Sequence, residues 1–143
     1  MSTKVLIIDD DAAATELLTM LLSTHGFEVM TTNSAVEGIQ LIQDKSPGLV
    51  ILDLMMPDKD GWEVCRSVRS FSNVPILILS AIDDPRMIAS ILDDGADDYL
   101  VKPIPSNVLI AHLRKLARRT GGLAASPPTS LRPILPGTQP LTP

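Results

Sequence analysis

Three short runs, Val5–Ile8, Leu49–Leu52 and Ile76–Leu79, are apolar at every position. A strand with one wet face alternates apolar and polar residues. A strand that is apolar throughout must be covered on both sides, as in a parallel sheet layered with helices. Two further strands are predicted over Phe27–Thr32 and Asp98–Val101, and the first of the apolar runs extends back to Lys4.

Helical patterns fill the intervals. The first presents Leu17, Leu18, Leu21 and Leu22 on one face and closes at His25-Gly26. The second opens on Ser34 and Glu37, a capping-box pair that serves two free helix amides. Leu41 and Ile42 point inward, and Pro47-Gly48 turns the chain. The third begins near Asp60 and carries Trp62, Cys65 and Val68. The fourth begins at Asp84-Pro85, an N-cap followed by a proline suited to the first helical position, and stops at Gly95. The fifth runs from about Pro105 through Leu109, Leu113 and Leu116 to Arg119. Five strands alternating with five helices predict a doubly wound α/β sheet, whose ligand site lies beyond the carboxyl ends of the central strands.

Composition excludes several classes. The chain has 143 residues and a formal charge of −5, which argues against direct nucleic-acid binding by this chain. The basic run Arg114, Lys115, Arg118 and Arg119 is read as a solvated helix end. The lone Cys65 rules out an internal disulfide or a cysteine-based zinc site and reads as a small buried apolar residue. His25 and His112 read as surface or capping residues. No apolar run approaches the ~20 residues of a membrane helix or resembles a signal peptide, so a cytoplasmic location is expected. Residues 1–119 form the expected domain. Residues 120–143 contain Gly121, Gly122 and half of the chain's twelve prolines and read as a disordered tail or linker. The expectation leans to a stand-alone unit over a fragment of a longer regulator.

A parallel sheet gathers strand ends that are distant in sequence. The first strand runs into Asp9, Asp10 and Asp11, the third into Asp53, the fourth into Ser80 and the fifth into Lys102. Taken singly these are bland: a solvated loop, a helix cap for Asp11, a turn serine, a surface lysine. Together they compose a site for phosphoryl chemistry. Crowded carboxylates repel one another, and a hard divalent ion relieves the repulsion. Magnesium prefers such oxygen ligands. Asp10 and Asp53 suit direct ligation, with Asp9 acting through water and a backbone carbonyl just past Asp53 adding a ligand. The same ion lets a carboxylate attack phosphorus, Lys102 offsets charge on the phosphoryl oxygens, and the Ser80 hydroxyl donates to one of them.

The blocks VLIIDDD, LVILDLMMPDKDGWEV, ILILSA and GADDYLVKPI, in that order, resemble the receiver domain of two-component response regulators over about residues 3–119. The resemblance implies a flavodoxin-like sheet of order 2-1-3-4-5 and phosphorylation of Asp53 by a histidine kinase or phosphotransfer protein. It places the acidic metal pair on Asp9 and Asp10, the metal-binding carbonyl on Met55, the switch residues on Ser80 and Tyr99, and the invariant lysine on Lys102, followed by a cis peptide to Pro103. Phosphorylation would draw Ser80 inward and rotate Tyr99 from outside to inside, altering the surface of the fourth helix, fifth strand and fifth helix.

The pattern is closest to receivers that precede winged-helix DNA-binding domains, many of which form homodimers through the fourth and fifth helices. Here Val108 and His112 stand where a glutamate and an arginine are usual, and Ala89 or Ile88 replaces a basic residue. Arg114 remains able to pair with Asp97 or Asp98. A weakened dimer, or a partner fitted to a more apolar face, is expected. Met55 and Ile82 flank the phosphoryl position and cannot orient water, which predicts slow self-dephosphorylation. Two alternatives stand beside this reading. One is a magnesium-dependent aspartyl-phosphate phosphatase, disfavoured because Asp9-Asp10-Asp11-Ala12-Ala13 misses that family's last motif position. The other is an interaction module indifferent to phosphate.

Overall fold

The computed structural model describes residues 2–125, with side chains as far as Arg119. Strands β1 (Lys4–Ile8), β2 (Glu28–Thr32), β3 (Leu49–Leu52), β4 (Ile76–Ser80) and β5 (Asp98–Val101) alternate with helices α1 (Ala12–Thr24), α2 (Ala35–Lys45), α3 (Gly61–Arg69), α4 (Pro85–Asp93) and α5 (Ser106–Ala125). All strand pairs are parallel, in the order β2-β1-β3-β4-β5.

The uninterrupted apolar runs do cover two faces. Leu6, Ile8, Val50, Leu52, Ile76 and Ile78 pack into one cluster with Ala35, Ile42, Val64, Val68 and Ile91 of α2, α3 and α4. The alternate residues Val5, Ile7, Leu49, Ile51, Leu77 and Leu79 pack with Leu22, Leu109, Leu113 and Leu116 of α1 and α5. Cys65 is fully buried in the first cluster, and burial pushes its thiol up to about 11. The Trp62 indole donates to Ser90 Oγ at 3.1 Å, tying α3 to α4.

Several local readings change. Phe27 does not start β2. Its amide donates back to Leu22 O while that of Gly26 donates to Ser23 O, so it completes the end of α1 with its ring in the core. Leu17 is 69% exposed although it sits in the leucine run. Thr15 and Leu22 centre the buried face, and two steps of about 100° carry Leu17 from Thr15 to the opposite side of the helix.

At α2 only half the predicted capping box forms. Ser34 Oγ accepts from Glu37 N, but the Glu37 carboxylate turns to the Thr32 hydroxyl, and Thr32 Oγ1 accepts from Ser34 N instead. The complete box lies at α3, between Asp60 and Glu63. Asp84 caps α4 with Pro85 in its first turn, as expected. Beyond α4, Gly95 adopts φ +118°, a backbone region costly for any residue with a Cβ. Helix α5 continues past the expected end at Arg119 to Ala125, because Gly121 and Gly122 weaken a helix without removing its hydrogen bonds. The rest of the expected tail, residues 126–143, lies outside the described residues.

Candidate functional site

Strand register brings the predicted residues to one rim. Ile8 pairs with Leu52, so Asp9 and Asp53 leave adjacent strands side by side, and Asp53 N donates to Ile8 O at 3.0 Å. Leu52 pairs with Ile78, which puts Ser80, the last residue of β4, at the same edge. Ser80 pairs with Val101, and Lys102 N donates to Ser80 O at 2.8 Å. The Lys102–Pro103 bond is cis, as the resemblance implied.

Carboxylate oxygens of Asp9, Asp10 and Asp53 all lie within 4.8 Å of one another. Lys102 Nζ reaches Asp9 Oδ2 at 3.2 Å and Asp53 Oδ2 at 3.6 Å. Asp9 is 3% exposed, and both of its oxygens are engaged, one by Lys102 and the other by Asp11 N at 2.9 Å. Asp10 is exposed, and among the described residues no hydrogen bond or ion pair engages its carboxylate. Asp11 is the N-cap of α1, accepting from Ala13 N and Ala14 N. Met55 N donates to Asp53 Oδ1 at 3.1 Å, which sets the Met55 backbone beside the acceptor carboxylate while its side chain is exposed.

Burial raises the Asp53 pKa. The Met55 amide and Lys102 oppose the rise, and Asp9 and Asp10 add to it. Burial also works against the charge on Lys102, but the Asp9 and Asp53 carboxylates outweigh it, and the lysine is held above its ordinary value. This all-oxygen donor set with a fixed cation at its border fits a hard divalent ion such as magnesium. Asp10 and Asp53 are the carboxylates that would hold such an ion.

Ser80 is fully buried, and its Oγ accepts from Ile82 N at 3.3 Å. Tyr99 packs partly buried against the α2–α3–α4 core, and its hydroxyl donates to Ile82 O at 2.5 Å. Tyr99 is thus turned toward the β4–α4 loop. Burial raises its pKa, tempered by the Ser80 hydroxyl.

Beside the rim, the part-exposed His112 has a partner in its own chain: its Nδ1 lies 2.5 Å from Asp98 Oδ2. Asp97 and Asp98, the residues expected to be open to Arg114, are also engaged by other groups of the chain. Asp97 accepts from Arg69, Arg119 and Ile76 N, and Asp98 is taken by His112. Three residues near the site escaped sequence reasoning. Asn33 Nδ2 donates to Asp9 O at 2.6 Å, Asp58 accepts from the first turn of α2, and Gly61 leaves no room for a Cβ against Leu54. Only Gly61, inside the Asp-Gly of the third-helix start, had a sequence signal.

Among the described residues no helix is long and apolar enough to cross a membrane. Residues 5–114 match the family model of the response regulator receiver domain. Response regulator MprA of Mycobacterium sp. strain KMS is 45% identical over 121 residues, 84% of this chain and 53% of that protein. Transcriptional regulatory protein AfsQ1 of Streptomyces coelicolor is 40% identical over 115 residues, 80% of this chain and 51% of that protein. The chain therefore spans about half the length of these curated relatives. The BeF3-activated N-terminal receiver domain of Klebsiella pneumoniae RstA superposes with a TM-score of 0.78 at 33% identity, covering 80% of this chain and 98% of that one. A two-component response regulator from Clostridium difficile gives a TM-score of 0.79 at 31% identity, covering 82% and 98%. With its sheet order, its acidic rim and these relatives agreeing, the chain belongs to the response regulator receiver domain family of two-component systems.

Proposed function

We propose that Asp53 accepts a phosphoryl group from a phosphohistidine of a histidine kinase or phosphotransfer protein, and that this controls the surface formed by α4, β5 and α5. The observation that carries the reading is the meeting of Asp9, Asp10, Asp53 and Lys102 at one rim. An Asp53 oxygen attacks phosphorus, the O–P bond forms as the N–P bond breaks, and the electron pair returns to the donor imidazole. Bound magnesium supplies charge neutralisation for the incoming oxygens. Asp10, Asp53 and the Met55 carbonyl would hold it, with Asp9 steadying its water.

Lys102 is already between Asp9 and Asp53 and needs only a small shift to meet a phosphoryl oxygen. Ser80 would give up its role as acceptor for Ile82 N and donate to another such oxygen. Ile82 also receives the Tyr99 hydroxyl, so movement of the β4–α4 loop is transmitted to Tyr99 and the α4 surface. The chain turns over no external substrate in this reading. It acts on a partner or an attached output domain, and its own dimer through α4 and α5 is weak. Magnesium-dependent labelling of the protein by acetyl phosphate, lost in Asp53→Asn, is the test; labelling that persists in Asp53→Asn refutes the assignment.

A further inference from the structure

Both walls of the acidic rim are held by one short stretch, residues 32–36 at the junction of β2 and α2. On one side Asp9 N donates to Thr32 O at 3.2 Å and the Asn33 amide donates to Asp9 O at 2.6 Å. On the other side Asp58, in the loop that follows Asp53, accepts from Ser34 Oγ at 2.9 Å, Ala35 N at 3.2 Å and Val36 N at 3.1 Å. Ser34 Oγ in turn accepts from Glu37 N at 3.2 Å. The free amides of the first turn of α2 are thereby satisfied largely from another loop. A carboxylate at a helix N-terminus is also favoured by the helix dipole.

The loop between Asp53 and Asp58 carries Met55, and it has few other anchors. Leu54 is buried, its carbonyl accepting from Gly61 N at 3.1 Å, and Met56 is buried in the core. Met55 and Pro57 are exposed. Asp58 is exposed as well, and its carboxylate is tied to α2 through its contacts with Ser34, Ala35 and Val36. Magnesium demands near-ideal octahedral geometry, so small shifts of a ligand-bearing loop lower affinity steeply.

We propose that Asp58 is a positioning residue for the cation site. Together with Asn33 it makes the first turn of α2 a spacer that sets the gap between the acidic pair and the Met55 backbone, tuning cation affinity without touching the cation. This rests on the magnesium-binding reading above.

The test is titration of the whole chain with Mg²⁺ alone, followed by amide chemical shifts in NMR, with thermal unfolding measured on the same samples. Asp58→Ala is expected to weaken Mg²⁺ binding about tenfold or more, as loss of a second layer of metal-site partners typically does. Asp58→Asn, which keeps one acceptor oxygen, is expected to fall between Asp58→Ala and wild type, and it carries the comparison if Asp58→Ala fails to fold. Asn33→Ala is expected to weaken binding from the opposite wall. A folded Asp58 variant with wild-type Mg²⁺ affinity, whatever its melting temperature, overturns the positioning role and leaves the phosphoacceptor reading standing. A wild-type protein that binds no Mg²⁺ overturns both.

Discussion

The His112 imidazole lies 2.5 Å from the Asp98 carboxylate, joining α5 to β5 across the face that also includes α4. Asp98 Oδ1 is occupied too, by Tyr99 N at 2.9 Å. Both oxygens of this carboxylate therefore already have a partner within the chain. Arg119 is likewise paired within the chain, with Asp97.

A dimer built on cross-subunit ion pairs through α4 and α5 would have to compete with these contacts. Val108 and Ile88 supply no charge to replace them. Sedimentation of the beryllofluoride-treated protein is therefore expected to show a monomer or a weak dimer. A tight dimer that dissociates with added salt would refute this.

Lys102 contacts both Asp9 and Asp53, and the carboxylates keep its charge secure. Lys102→Met removes a preorganised cation from a phosphoryl-transfer site. The expected cost is on the order of 10²–10³-fold in the rate of labelling by acetyl phosphate, the range for loss of one preorganised electrostatic partner. Labelling at the wild-type rate would show that Lys102 serves only to offset the acidic cluster.

Slow dephosphorylation follows from the side chains at the rim. Met55 is 62% exposed and Ile82 packs against the core, and neither can hydrogen-bond a water. Phosphate loss is expected over hours. Replacing Met55 with Asn is expected to speed it by up to ~100-fold, the lower end of what a positioned proton-handling group contributes. A wild-type half-life of seconds in magnesium buffer would contradict this.

A methyl group on Gly61 would meet Leu54 Cδ2 at 2.5 Å and Leu54 Cα at 2.8 Å. The side-chain contact alone could yield, but the backbone one cannot without moving the loop below Asp53. Gly61→Ala is expected to destabilise the fold by about 1–3 kcal/mol, the usual cost of overpacking. Denaturant unfolding measures it, and an unchanged midpoint would show that the loop has slack.

The Asp58 contacts give a pH signature. Hydrogen bonds from the Val36 amide, the Ala35 amide and the Ser34 hydroxyl hold the Asp58 carboxyl below its ordinary 3.8, with desolvation opposing. A carboxylate lowered by folding contributes stability that is fully present above its unfolded value and fades as pH falls through the folded one. The melting-temperature gap between wild type and Asp58→Asn should thus be constant near neutrality and close only below about pH 4, in line with the ordinary carboxylate range. A gap unchanged down to pH 2 would show that charge at Asp58 plays no part.

The strands and most helix starts were legible because they depend on local pattern: doubly covered strands have no polar positions, and Asp60, Asp84 and Pro85 satisfy or omit amides wherever they occur. Asp9, Asp10, Asp53, Ser80 and Lys102 were legible because parallel strands deliver their carboxyl ends to one rim whatever fills the loops between. Contacts between residues on different loops carry no such pattern. Nothing in the sequence distinguishes Asp58, which accepts from α2, from any loop aspartate, or shows that Glu37 would choose Thr32 over its own helix cap. His112 and Asp98 meet, and Tyr99 turns toward Ile82, only once α5 and the β4–α4 loop are packed on the sheet. Local hydrogen-bond chemistry and hydrophobic period are properties of neighbours along the chain. Which polar groups become partners depends on distances that exist only after the layers close, and there the tertiary structure alone decided.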